Sequence, residues 1–140
     1  MTNSNNSKTN KDQLSLLVDF MTAMGQPVSQ GWEDIEGIKL GLKLIEEETE
    51  EFREAVENIF ENTECGEGED VLNDSREDLA KELADILYVC YWTAAKIGID
   101  VNEAFRRVHA SNMSKLGPDG KPVKREDGKV LKGPHYHAPD

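Results

Sequence analysis

Two helical segments between Glu47 and Asp85 place carboxylates where a packing helix should carry leucine, and that conflict narrows the folds open to this chain. In Leu44-Ile45-Glu46-Glu47-Glu48-Thr49-Glu50-Glu51-Phe52, Glu48 lies three residues after Ile45 and four before Phe52. That puts it on the apolar stripe. Glu47 and Glu48 stand four and three residues before Glu51, so all three side chains can converge on one patch of helix surface. In Leu79-Ala80-Lys81-Glu82-Leu83-Ala84-Asp85-Ile86-Leu87-Tyr88-Val89, Glu82 falls between Leu79 and Ile86 by the same spacing. Asp85 follows about one turn later, inside an otherwise apolar run.

Like charges at these spacings repel, and an unpaired carboxylate taken out of water costs several kcal/mol or more. Compensation is therefore required. Lys81, which falls toward a neighbouring face, is the one candidate exception to a stripe otherwise without Lys, Arg or His. An all-oxygen, strongly anionic cluster suits a hard divalent cation, Mg²⁺ or Mn²⁺. The competing reading makes these acids solvated flank residues of amphipathic helices, which is the ordinary explanation of a single Glu-x-x-Glu. Two such pairs, each interrupting an apolar stripe, weigh against it.

The 140 residues suit one domain with a single core. A net charge of −12 argues against nucleic acid or an anionic membrane as partner, since both would be repelled. Cys65 and Cys90 form neither a CxxC nor a paired Cys/His spacing, so neither a disulfide framework nor a zinc site is indicated. No apolar run approaches the ~20 residues of a membrane span, and the first ten residues lack the apolar core of a signal peptide. A soluble, cytoplasmic protein is expected. Few aromatic and β-branched runs favour helices over sheet.

Residues 1–11, rich in Asn, Ser, Thr and Lys, are expected to be disordered. The helical domain is expected over residues 12–116. A first helix spans 12–24, with Leu14, Leu17, Val18 and Met21 on one side and Gly25 as its stop. Residues 26–31 read as a loop, a connector or a pocket rim. A long helix over 34–60 carries Ile38, Leu42, Ile45, Phe52, Val56 and Ile59 inward, and 61–74 reads as a solvated acidic loop. Ser75 with Asp78 resembles a capping box that opens a helix ended by Gly98, with Leu79, Leu83, Ile86, Cys90, Ala94 and Ile97 as its stripe. Asp100 and Glu103 open a fourth helix, continuing to about Lys115, on which Asn112 and Lys115 share a face. Residues 117–140 form an irregular tail with five basic and four acidic residues, expected to pack on the domain or a partner subunit. Asp127-Gly128 between Val123 and Val130 can turn a small hairpin there. His135 and His137 read as exposed tail histidines rather than a metal site.

Glu47-Glu48-x-x-Glu51, followed by Glu82-x-x-Asp85 within Glu-Leu-Ala-Asp-Ile-Leu-Tyr, resembles the signature of the all-α nucleoside triphosphate pyrophosphohydrolases. These include MazG-like proteins, dimeric dUTPases, dCTP pyrophosphatases and phosphoribosyl-ATP pyrophosphohydrolase. The resemblance runs over residues 12–140, through Val108-His109-Ala110-Ser111-Asn112-Met113-Ser114-Lys115 into Asp127-Gly128-Lys129-Val130-Leu131-Lys132. It is similar there to the MazG-like, phosphoribosyl-ATP-pyrophosphohydrolase-like branch. The gap between Glu51 and Glu82 is longer than usual, which leaves substrate choice open.

The resemblance implies an all-α, four- to five-helix bundle that cleaves a nucleoside triphosphate between its α and β phosphates, giving a monophosphate and pyrophosphate. Glu48, Glu51, Glu82 and Asp85 would hold Mg²⁺, with Mn²⁺ as substitute. Glu47 would orient or deprotonate the attacking water and share a metal, and Glu48 belongs with it in the catalytic pair. Asn112 and Lys115 would contact phosphate or the water around the metal, and Tyr88 the substrate. The expected role is nucleotide-pool control or housecleaning, on a dNTP or a modified NTP. The alternatives are phosphoribosyl-ATP hydrolysis in histidine biosynthesis and a non-catalytic, metal-stabilised helical interaction module. A di-iron bundle needs Glu-x-x-His pairs that no helix here supplies. The family pattern also implies a homodimer or dimer-based tetramer, with Tyr91, Trp92 and Ile97 at the interface.

Overall fold

The computed structural model describes residues 10–140, so residues 1–9 of the segment expected to be disordered lie outside it. Among the described residues there are four helices and one two-stranded ribbon: α1 (Gln13–Ala23), α2 (Ile35–Glu64), α3 (Glu69–Ile97), α4 (Val101–Met113), β1 (Val123–Lys124) and β2 (Val130–Leu131). The all-α class follows, at the four-helix end of the expected range. The chain divides into two compact units, Met1–Ile99 and Asp100–Asp140.

In the first unit α2 and α3 form an antiparallel hairpin. Gly41 meets Thr93 and Asn62 meets Ser75, so positions rise along one helix as they fall along the other. Residues 61–74 are not the long loop expected from their acidity. Helix α2 runs on to Glu64 and α3 begins at Glu69, leaving 65–68 as the link. Glu69 and Asp70 lie in the first turn of α3, where carboxylates favour the positive end of the helix dipole. Ser75 is accordingly no cap. It is 5% exposed in mid-helix and accepts a 2.9 Å hydrogen bond from Asn62 Nδ2.

The inward lines also differ from expectation at two leucines. Leu42 is 57% exposed and Leu83 50% exposed. Gly41 takes the inward place beside Leu42, because a Cβ there would come within 2.5 Å of Thr93 Oγ1. Close approach of the two backbones needs a residue without a side chain.

Helix α1 is capped by Asp12, whose carboxylate accepts from Ser15 N, and Gly25 follows it at φ 69°. It lays Leu17 and Met21 against Ala95, with Leu14, Phe20, Val28, Tyr91 and Trp92 packed around them. The loop over 26–31 closes the far end of α3. Ser29, Gln30 and Gly31 donate backbone N–H bonds of 2.8 Å to the carbonyls of Ala95, Lys96 and Ile97, groups a helix terminus leaves open. Trp92 Nε1 donates to Gln26 Oε1 at 3.0 Å. Ile97 is 3% exposed, which removes it from the subunit interface expected of it, and Tyr91 and Trp92 are half-buried against α1. Asp34 caps α2 by accepting from Gly37 N, and its other oxygen lies 3.7 Å from Lys96 Nζ.

In the second unit Asp100 caps α4 by accepting from Glu103 N. The expected hairpin is present, with Val123 opposite Leu131 and Lys124 opposite Val130 around the Asp127-Gly128 turn. The tail returns to α4: Ser111 Oγ donates to the His137 carbonyl at 2.8 Å, and His137 N donates to Ser114 Oγ at 3.0 Å. No helix among the described residues is long and apolar enough to cross a membrane.

Candidate active site

The antiparallel register of α2 and α3 brings the two acidic pairs face to face. Glu48 and Glu51 from α2 meet Glu82 and Asp85 from α3, each offering an oxygen, with all four atoms within 4.8 Å of one another. Helical spacing explains the convergence: i and i+3 lie on one face, and the hairpin turns both faces toward each other. Glu48, Glu82 and Asp85 are half-buried, whereas Glu51 is exposed.

Burial and crowding oppose ionisation here. Desolvation first, then the charge of Glu51 and a shared hydrogen bond with it, then Asp85 and Glu82, push the Glu48 carboxyl above its ordinary range. Glu48 Oε2 and Glu82 Oε2 are buried with no hydrogen-bond partner. Oxygens in that condition are costly unless a cation completes them. An all-carboxylate donor set with two orphaned buried oxygens fits a hard divalent ion.

Lys81, the candidate exception on a neighbouring face, does reach the acidic stripe. Its Nζ lies 2.9 Å from Asp85 Oδ2 and 3.2 Å from Glu82 Oε1. The long stem lets an ammonium one residue off the stripe swing back to it, and Asp85 is its i+4 neighbour. These two carboxylates hold the Lys81 ammonium well above its ordinary pKa.

The other expected site residues are placed as follows. Glu47 is exposed and stands outside the four-carboxylate constellation. The Tyr88 ring meets Phe20 of α1 edge-on, with centroids 5.7 Å apart, and is 42% exposed. Asn112 is exposed on α4 and Lys115 is half-buried just beyond it, its carbonyl accepting from Gly133 N at 3.0 Å. Both belong to the second unit. A groove of about 550 Å³ shares Glu51 and Glu82 with the cluster and is walled by Glu54, Glu57, Glu61 and Asp78. Sequence reasoning missed this groove because it took Glu61 and Asp78 for loop and cap.

The model of one protein family, phosphoribosyl-ATP pyrophosphohydrolase, matches residues 17–112. The chain belongs to that family. As a phosphoribosyl-ATP pyrophosphohydrolase family member it falls within the MazG-like all-α NTP pyrophosphatase superfamily. Members of the phosphoribosyl-ATP pyrophosphohydrolase family are divalent-metal-dependent pyrophosphohydrolases acting on nucleotides. The matched segment contains the whole carboxylate cluster and ends at Asn112, before Lys115 and the hairpin. A comparison with curated proteins gave no match.

Proposed function

We propose that this protein hydrolyses a nucleoside triphosphate, a dNTP or a modified NTP, to a monophosphate and pyrophosphate in nucleotide-pool control. The carrying observation is the constellation of Glu48, Glu51, Glu82 and Asp85 with its buried, unpartnered oxygens. These four residues hold Mg²⁺, with Mn²⁺ able to replace it. When bound, the cation supplies positive charge to the phosphates and acidifies water.

The chain's own groups do the rest. Triphosphate and acidic groove repel each other, so the nucleotide enters only with cations and stays away without them. Glu47, exposed and next to Glu48 in the sequence, orients a water molecule and accepts its proton as the water oxygen bonds to the α phosphorus and the bond from that phosphorus to the oxygen bridging to the β phosphate breaks. The electron pair of that bond leaves on pyrophosphate. Glu48 faces the cluster from its half-buried side, and its carboxyl, held above its ordinary range by burial and the neighbouring acids, gives up its proton when a cation takes its place. Asn112 and Lys115 contact phosphate, and Tyr88 offers an aromatic edge to the nucleoside.

A second reading, phosphoribosyl-ATP as substrate, is favoured by the description of the matching family. Either substrate requires the same bond cleavage. Protomers pair as a homodimer or dimer-based tetramer in this reading, and the supporting observation is the exposure of Leu16, Leu83 and Leu87 at 50% or more.

The site is tested by Glu48→Gln and Asp85→Asn. Each should lower turnover by about a thousandfold or more, a loss of ~4 kcal/mol in transition-state stabilisation, with the helical circular dichroism unchanged. Wild-type turnover in either variant would remove the cluster from the chemistry.

A further inference from the structure

The four-carboxylate cluster has one ion-paired cation among the described residues, Lys81, and it holds the outer oxygens of the two α3 ligands. Glu82 divides its carboxylate: Oε1 accepts from Lys81 at 3.2 Å, and Oε2 is buried and unpartnered. Asp85 gives Oδ2 to the same ammonium at 2.9 Å. Among the described residues Glu48 and Glu51 have no ion-paired base, so Lys81 alone of these offsets the repulsion among four acids held within 4.8 Å of one another. Its side chain is 64% exposed, so it can leave the cluster without disturbing the core.

We infer that Lys81, by competing for the cluster's carboxylates, sets how tightly the cluster holds a divalent cation when no nucleotide is bound. This rests on the reading of the cluster as the metal site. The ammonium already neutralises part of the charge the cation would answer, and it repels that cation across the shared carboxylates. Metal binding to the free protein is thereby weakened. A triphosphate adds about four negative charges, restores the attraction, and gives the ammonium phosphate oxygens to turn toward. Lys81 thus makes cation retention depend on nucleotide. An ammonium that merely aligned the ligands would have the opposite sign, since its loss would loosen the carboxylates and weaken binding.

Calorimetric titration of MgCl₂ and MnCl₂ into the nucleotide-free full chain separates these. Lys81→Met should tighten cation binding about tenfold, the size of the repulsion between a single and a double charge about 5 Å apart in water. Lys81→Arg, which keeps the charge, should stay near the wild-type affinity. Lys81→Gln provides a second neutral variant, and circular dichroism confirms that each is folded. The cation-induced rise in melting temperature should also be larger for the neutral variants than for wild type. Unchanged or weaker affinity in the neutral variants, with wild type still binding, overturns the role of Lys81 and leaves the metal site standing. Absence of binding in every protein overturns both. Binding seen only in the neutral variants would be the inferred effect at its strongest.

Discussion

At the scale of single residues, Glu48 concentrates the physics of the site. Its carboxyl is pushed up by burial and by three neighbouring acids, so the folded protein binds that proton more tightly than the unfolded chain. The resulting stability is fully present below the unfolded value of 4.5 and is lost as pH rises through the raised folded value. Without metal, the melting temperature of wild type relative to Glu48→Gln should therefore fall as pH rises above the ordinary value of 4.5, and saturating Mg²⁺ should reverse the fall. Scanning calorimetry in EDTA measures the difference directly. A difference that stays flat with pH would mean that Glu48 is not crowded as described. Glu48 was legible in the sequence because a carboxylate between Ile45 and Phe52 violates the apolar stripe. Lys81 was not, because helical periodicity fixes where a Cβ points and says nothing of where a four-carbon stem carries its charge.

At the scale of elements, the hairpin of α2 and α3 determines whether the two acidic pairs meet. Its registration depends on small contacts as much as on the apolar stripes. Gly41 lets α2 approach Thr93, and Gly41→Ala should cost about 1–3 kcal/mol by overpacking. Chemical denaturation checks it, and Thr93→Ala in the same chain should recover part of the loss. A neutral Gly41→Ala would show that the helices do not touch there. The helix types and their apolar periodicity were readable in the sequence, as was the Asp127-Gly128 hairpin. The boundary of α3 was misread because a local pattern, Ser75 with Asp78, imitates a cap, whereas acids at Glu69 and Asp70 start the helix earlier. Gly41 was passed over for Leu42 because burial by backbone approach leaves no hydrophobic signal.

At the scale of the molecule, the pairing proposed above would rest on the exposed leucines of the first unit. Leu16 and Leu87 line an apolar cleft of about 180 Å³ with Tyr88 and Tyr91, and Leu83 lies one turn from Leu87. Equilibrium sedimentation should find the wild-type protein as a dimer or dimer-based tetramer, and Leu83→Lys with Leu87→Lys should shift it to monomer. A wild type that sediments as monomer at micromolar concentration would contradict the pairing. Of the three residues expected at the interface, Ile97 is buried within the first unit, and Tyr91 and Trp92 are half-buried against α1, because an apolar face can be covered by a neighbouring helix as well as by another subunit.

The most direct test is identification of the phosphorus products by ³¹P NMR after incubation with a dNTP panel, modified NTPs and phosphoribosyl-ATP, in Mg²⁺ and in EDTA. Pyrophosphate and a monophosphate in Mg²⁺, and nothing in EDTA, is the expected result, with the consumed nucleotide naming the substrate. Orthophosphate with a diphosphate, or no product from any nucleotide in Mg²⁺, would contradict it.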